Sequence, residues 1–371
     1  MRTLILSANT GEGHNSCSKA IKEVYDAHNE YCVIEDGLAF AGKPVSKFIS
    51  GGHTMLYRYM PWVLNSGYGA MAKGKSTEKD VSKVIKLFKA AGKKLNKYII
   101  DNKIDNVICA HVMPGLLMSS VLKWYSPDVK TSLLATDYSC SVGFKSCILD
   151  RYFIPTEDLK DIFRTDYIDD ERLVASGIPI KSGFYTGIGM KEAKEKLRLP
   201  PDHKHLLMAF GSMGAGKMDH IIEGLAEKLP DDIEMTVICG TNSRKRKKLK
   251  LEYFGRPNIH IRGYIKRMPL MLDSADLYLT KSGGLSTSEA AAKRLPMVLI
   301  DTIKAFESGN RDYFTSLGSA LVAENHEDIP QLCIDILRSD EKLSAMRAAY
   351  GKMKIINAAE CIFDTMRSLN E

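Results

Sequence analysis

The 371-residue chain has no apolar run approaching the eighteen or so residues of a membrane-spanning helix, so any membrane role is expected to be peripheral. Its first apolar stretch, Leu4 to Leu6, soon gives way to Gly11-Glu12-Gly13 and is too short for the hydrophobic region of a signal peptide. None of the eight cysteines, Cys17, Cys32, Cys109, Cys140, Cys147, Cys239, Cys333 and Cys361, stands in C-x-x-C spacing. Several sit in apolar runs and read as reduced core thiols of a cytosolic protein. There is no D-x-D pair and no His/Cys/carboxylate cluster of ligand spacing, so neither a divalent metal nor a bound cofactor is expected. Aromatic residues interleaved with basic ones are few, and nucleic acid is not an expected partner. Internal repeats and low-complexity tracts are missing as well.

What is present is a composition of 44% hydrophobic and 26% charged residues, that of a folded globular protein, at a length that predicts two domains. The net charge of +7 favours anionic partners: nucleotides, anionic lipid or nucleic acid. Short β-rich apolar runs alternate with helical patterns, the signature of doubly wound α/β sheets. In the first half the runs are Thr3–Ser7, Cys32–Glu35, Asn106–His111, Thr131–Thr136 and Arg151–Ile154. The second half has His205–Phe210, Glu234–Cys239, Ile259–Arg262, Leu277–Lys281, Met297–Ile300 and Ala320–Val322. Pro and Gly punctuate Ser176–Phe184, which predicts a linker and a domain boundary near residue 185. The end of the chain, Lys342 to Leu369, has two helical patterns and no strand, so its last helix is free to return to the first domain.

Three glycine turns carry the chemistry. The first, Ser7-Ala-Asn-Thr-Gly11-Glu-Gly13-His14, joins a strand to a helix whose N-terminus can hold an anion or polarise a bound group. It approaches a dinucleotide-binding fingerprint, with Glu35 or Asp36 at about the right distance, but Ser16 replaces the third Gly or Ala. His14, at the positive end of the helix dipole, is favoured in its neutral, proton-accepting form, as a general base requires. The plain alternative is a capping or exposed histidine. His111, after another strand, is a second candidate of the same kind.

The second turn, Lys281-Ser282-Gly283-Gly284-Leu-Ser286-Thr287-Ser-Glu289, again links strand to helix. Its amides and the Ser286 and Thr287 hydroxyls suit a diphosphate, and Glu289, one helical turn on, suits ribose hydroxyls. A turn that only lets strand and helix pack closely is the plain alternative. Downstream, Glu307 and Asn310 are placed on a loop and a helix start, from which polar groups reach a sugar ring. The third turn holds Gly211, Gly214, Gly216 and Lys217 in near-Walker spacing, with Met218 where the metal-binding hydroxyl belongs, which disfavours a P-loop ATPase.

Two basic segments are less specific. Lys73, Lys75, Lys79, Lys83, Lys86, Lys89, Lys93, Lys94 and Lys97 surround an apolar pattern that suits an anionic membrane surface or a solvated helix face. Arg244 to Lys250 has six basic residues out of seven and reads as a solvated helix face.

Together these residues resemble the monogalactosyldiacylglycerol synthase and processive diacylglycerol glucosyltransferase family, relatives of the peptidoglycan UDP-N-acetylglucosamine transferase. The resemblance runs from Leu4 to about Leu317. It rests on the G-x-G-H turn ending in His14, Thr136-Asp137-Tyr138, Cys239-Gly240-Thr241-Asn242, Gly263-Tyr264-Ile265, and Ala275-Asp276 through Glu289-Ala290. It implies a GT-B fold, two Rossmann-like domains facing across a cleft, the first (1–184) for the acceptor and the second (185–371) for a UDP-sugar. By the same resemblance Gly263 to Ile265, with Tyr264, meet uracil, Gly283 to Ser286 the diphosphate, Glu289 the ribose, and Glu307 and Asn310 the hexose. Gly211, Gly214 and Asn242 belong to this donor side. His14 meets the acceptor hydroxyl, with Gly11, Gly13, His111, Pro114 and Asp137 around it.

The implied reaction is metal-independent and inverting: a hexose passes from a UDP-sugar to a lipid hydroxyl of the diacylglycerol type, at the inner face of the cell membrane. Ala305-Phe306-Glu307 stands where the family has Gly and Gln before the Glu, which leaves glucose and galactose both open. Ser139 to Lys145 lacks the His and Trp of many members, and His111-Val-Met-Pro114 departs from an H-P-x-P turn. An NAD-dependent oxidoreductase using the first turn and a non-catalytic nucleotide- or lipid-binding protein are the rivals.

Overall fold

The computed structural model describes residues 1–8, 12–42, 88–211, 219–300 and 304–371, without the side chains of Glu12 and 304–307. Gly11, Gly214, Gly216, Lys217, Met218 and the basic segment from Lys73 to Lys86 therefore lie outside the described residues. The chain divides into two compact units. One is Met1–Ser182 with Ile303–Phe306 and Ile356–Glu371, the other Gly183–Thr302 with Glu307–Ile355.

The first unit is built on a parallel sheet of β1 (Arg2–Ser7), β2 (Tyr31–Asp36), β3 (Asn106–Cys109), β4 (Lys130–Leu134), β5 (Arg151–Ile154) and β6 (Leu173–Ala175), in the order β2-β1-β3-β4-β5-β6. Leu4, Ile5 and Leu6 are wholly buried, as central strands of a sheet covered on both faces must be. Flanking helices include α1 (Glu12–Ala27), α2 (Lys89–Asp101) and α3 (Val112–Tyr125). Strand β6 has no counterpart in the sequence pattern. It is a three-residue edge strand following the charged run Asp169 to Arg172, too short to show a period, and is recruited by pairing with Tyr152–Ile154. Strands β3 and β4 end earlier than the apolar runs suggest, because His111 already caps α3 and Thr136 lies beyond the ladder.

The second unit repeats the plan with β7 (Lys204–Ala209), β8 (Ile233–Ile238), β9 (Ile259–Arg262), β10 (Leu277–Lys281), β11 (Met297–Ile300) and β12 (Ala320–Leu321), ordered β12-β11-β10-β7-β8-β9 and parallel throughout. Its helices include α4 (Asp219–Lys228), α5 (Ser243–Glu252), α6 (Gly284–Ala292) and α7 (Lys304–Leu317). Each sheet has its own apolar core. At the base of the second sheet Asp276, next to β10, accepts bonds from the buried Lys194 ammonium (2.9 Å) and the His205 amide (2.9 Å), with Arg347 at 3.4 Å.

The last helix, α8 (Ala358–Ser368), belongs to the first unit. It buries Ala359, Ile362, Phe363 and Met366, and sets the Phe363 ring edge-on to Tyr25 of α1 at 4.9 Å. Gly177 admits this return: its φ of +87° is in the left-handed region, and an added Cβ would lie 3.4 Å from Ala358.

In each sheet the chain reverses direction between two neighbouring strands, β1 and β3 in the first and β7 and β10 in the second. The crevice beyond the carboxyl ends of such a pair is where open α/β sheets bind ligands.

Candidate functional site

The crevice of the first unit is flanked by His14, in the first turn of α1 after β1, and His111, the residue before α3 after β3. Their rings meet edge to face with centroids 4.6 Å apart. Ser7 at the end of β1 donates to Asn15 of α1 at 2.7 Å, which ties the helix that carries His14 to the strand.

Hydrogen bonds decide which nitrogen of each ring carries a proton. His14 Nδ1 lies 2.9 Å from the Ala110 carbonyl oxygen, which can only accept, so Nδ1 is protonated and Nε2 is the basic nitrogen of the neutral ring. His111 Nδ1 accepts from the Met113 amide at 3.0 Å as the cap of α3, so its proton is on Nε2. The two histidines are thus complementary, one an acceptor and one a donor at Nε2. Burial pushes the His14 pKa below its ordinary 6.5, opposed by the negative charge of Asp137 and the Ala110 carbonyl. Burial, rather than the helix end, is the first cause of its neutrality.

Thr136 joins this group without having been singled out as a site residue. Its Oγ1 is 3.4 Å from His14 Nδ1 and donates to Asp137 at 3.5 Å. These bonds are long, so the Ala110 carbonyl is the main tether. Nothing in the side-chain sequence marks Ala110, because it acts through its backbone. A Cβ on Gly13 would meet nothing within 4 Å, so neighbouring atoms do not require glycine there. Pro114 is buried against Gly37, whose added Cβ would come within 2.8 Å of the ring. That packing, in a helical first turn where a missing N–H is harmless, accounts for this proline.

In the second crevice, Gly211 follows β7 with φ +81°, and the Lys281 side chain from β10 passes 3.5 Å from the position of a Gly211 Cβ. Lys281 thereby brings a cation to the carboxyl ends of both central strands. Gly283 precedes α6 with φ −80° and ψ 139°, a conformation open to any residue, so this turn does not need glycine for its backbone angles. The first-turn amides of α6 form the anion-favouring end of that helix.

The expected placements of Asn310 and Glu307 are corrected here. Asn310 is not at a helix start: α7 begins at Lys304, and Asn310 is fully buried, donating to the Ser282 carbonyl at 2.8 Å. It clamps the glycine turn from behind. Glu307 is likewise inside α7 rather than on a loop. The Thr287 hydroxyl turns back to the Gly283 and Gly284 carbonyls at 3.0 and 3.1 Å, and Ser286 is hydrogen bonded to Tyr278. Asn242 caps α5 through the Lys245 amide at 3.0 Å. Tyr264 stands 62% exposed after β9, beside the half-buried Ile265. Asp36 of the dinucleotide-like pattern caps a short turn through the Leu38 amide at 3.0 Å. Among the described residues no group of three or more His, Cys, Asp or Glu side chains is arranged to hold a metal, and no helix is long and apolar enough to cross a membrane.

Two Rossmann-like units of this topology, each with its crevice at a strand reversal, make the GT-B fold. Acinetobacter baumannii MurG superposes with a TM-score of 0.63 at 13% identity over 99% of both chains, and the calicheamicin glycosyltransferase CalG4 with 0.64 at 12%, over 99% of this chain and 98% of that one. At such identities the likeness shows the fold alone. Residues 14–180 match the monogalactosyldiacylglycerol (MGDG) synthase family, and 205–360 match the glycosyltransferase family 28 C-terminal domain. Among curated relatives, the processive diacylglycerol beta-glucosyltransferase of Staphylococcus carnosus is 26% identical over 360 residues, 95% of this chain and 89% of that one.

The protein is a UDP-sugar glycosyltransferase of the GT-B class. It belongs to the family of monogalactosyldiacylglycerol synthases and processive diacylglycerol glucosyltransferases. The dehydrogenase and non-catalytic readings fall with that assignment.

Proposed function

We propose that the protein transfers a hexose from a UDP-sugar to the free hydroxyl of a diacylglycerol-type lipid, inverting the anomeric centre without a metal. The observation that carries the mechanism is the tether of His14 Nδ1 to the Ala110 carbonyl, which turns Nε2 into the proton acceptor. The acceptor oxygen attacks the anomeric carbon opposite the leaving UDP, the new C–O bond forms as the bond to the diphosphate breaks, and the hydroxyl proton passes to His14 Nε2. The charge on the departing UDP is met by the amides at the start of α6 and by Lys281. The name of the Staphylococcus carnosus relative supports glucose as the sugar and diacylglycerol as the acceptor. A peripheral position at the inner face of the membrane follows from such an acceptor.

The test is turnover of UDP-glucose with detergent-dispersed diacylglycerol, with UDP and glycolipid measured together in excess chelator. Equal yields of both products, undiminished by chelation, are expected. Release of UDP without glycolipid would remove the acceptor assignment, and activity lost to chelator and restored by magnesium would remove the metal-free mechanism.

Glu289, half-buried on α6, tests the donor side. Glu289→Ala is expected to weaken UDP and UDP-sugar together by roughly 10- to 150-fold, the 1.5–3 kcal/mol of one charge-assisted hydrogen bond. Calorimetric titration checks this, and wild-type UDP affinity in the folded variant takes Glu289 out of the site.

A further inference from the structure

The helix α5 of the second unit carries Arg244, Lys245, Arg246, Lys247, Lys248 and Lys250, and buries only Leu249. Three of these cations have local contacts. Lys245 and Lys248 reach Asp219 at 3.1 and 3.6 Å, and Arg246 lies against Gly263, with Nη1 2.7 Å from where a Cβ would sit. Arg244, Lys247 and Lys250 stand exposed. At helical spacing Arg244, Lys247, Lys248 and Leu251 form one stripe. Leu251 is 79% exposed, and the turn that ends the helix, closed by the Phe254 amide on the Leu251 carbonyl at 3.3 Å, brings up Phe254, 89% exposed.

A solvated helix face explains the cations but not two large, mostly exposed apolar side chains three residues apart at their end. Single exposed apolar residues are ordinary on a protein surface, whereas an apolar tip on a cationic stripe matches the layering of a bilayer surface, anionic headgroups above acyl chains. From Ser243 to Arg256 there are seven cations against one carboxylate, Glu252. Nucleic acid is less well matched, since stacking requires several aromatic platforms and Phe254 is the one exposed aromatic of this segment.

We infer that α5 with the Leu251–Phe254 turn is a membrane-docking surface of the second unit, its cations meeting anionic phospholipid headgroups and Leu251 and Phe254 entering the interface. It rests on the lipid-acceptor reading only in taking the bilayer as the place where the enzyme works.

The experiment is co-sedimentation of the full chain with vesicles of phosphatidylcholine alone or mixed in equal parts with phosphatidylglycerol. Two variants are compared with wild type: Arg244→Gln with Lys247→Gln and Lys250→Gln, and Leu251→Ser with Phe254→Ser. Each surface cation contributes about fivefold to partitioning, so the triple variant should bind mixed vesicles on the order of 100-fold more weakly. The apolar pair should lose roughly tenfold. Raised salt should shrink the difference between wild type and the triple variant. Variants that bind mixed vesicles like wild type, equal wild-type binding to both vesicle types, or capture of RNA in place of vesicles would overturn the inference. Hexosyl transfer in detergent, unchanged in both variants, is measured alongside. Its failure in wild type would count against the proposed reaction and leave the vesicle result to judge the surface.

Discussion

His14→Ala is expected to lower kcat by roughly 10²–10⁴ while leaving UDP affinity and the fold in place, because the donor is assigned to the second unit and the base to the first. A purely structural His14 predicts something different: loss of the bond to Ala110, about 1 kcal/mol of stability, and near-normal turnover per folded molecule. The melting temperature, UDP affinity and turnover of one preparation separate the two. The pH profile adds an independent check. A general base works unprotonated, and burial lowers the His14 pKa, so the acid limb of kcat/KM should have its midpoint below the ordinary 6.5. Stability should move with it. As pH falls from 6.5 toward the lowered value, the unfolded chain takes up a proton that folded His14 refuses, so wild type should lose more stability there than the alanine variant, in which buried His205, lowered to about 3, still contributes its own share. A variant with near-normal turnover, or an acid limb midpoint above 6.5, would rule out His14 as the base.

Much of this site was readable in the sequence for a physical reason: glycine turns between an apolar run and a helical pattern mark the carboxyl ends of parallel strands. Both central crevices announce themselves this way, through Gly13-His14 and Gly283-Gly284. The long central strands were legible from their uninterrupted apolar runs, and β6 was not, because Leu173–Ala175 owes its state to the neighbour it pairs with. What decides chemistry within the site was less visible. The tautomer of His14 depends on a backbone carbonyl 96 residues away, and its neutral form on burial that only the folded unit creates. Asn310 reads in sequence as a polar side chain free to meet a sugar. In the structure it is sealed beneath the glycine turn, and a sequence cannot distinguish a residue that touches a ligand from one that holds the residue that does.

The same ambiguity runs through the block from Ala275 to Ala290, the most specific part of the family resemblance, because its two ends act differently. Asp276 lies at the opposite end of β10 from the glycine turn, separated by a five-residue strand of about 17 Å. There it gathers the Lys194 ammonium and the His205 amide, with the Lys194 and Asp276 side chains only 4% and 5% exposed. Asp276→Ala is therefore expected to destabilise the second unit by about 3–5 kcal/mol, since it leaves the buried Lys194 ammonium with the His203 carbonyl at 2.7 Å but no counter-charge, and the His205 amide without its acceptor. Lys194→Met combined with Asp276→Leu should recover much of the loss, but not all, because the His205 amide stays unpaired. Denaturant unfolding of the variant against wild type gives the stability term, and UDP titration at denaturant levels below the onset of unfolding gives the functional one. Wild-type stability in the alanine variant would contradict the structural role. Weakened UDP binding in a fully folded population would instead place Asp276 in communication with the site, and joint failure of both expectations would leave its burial unexplained.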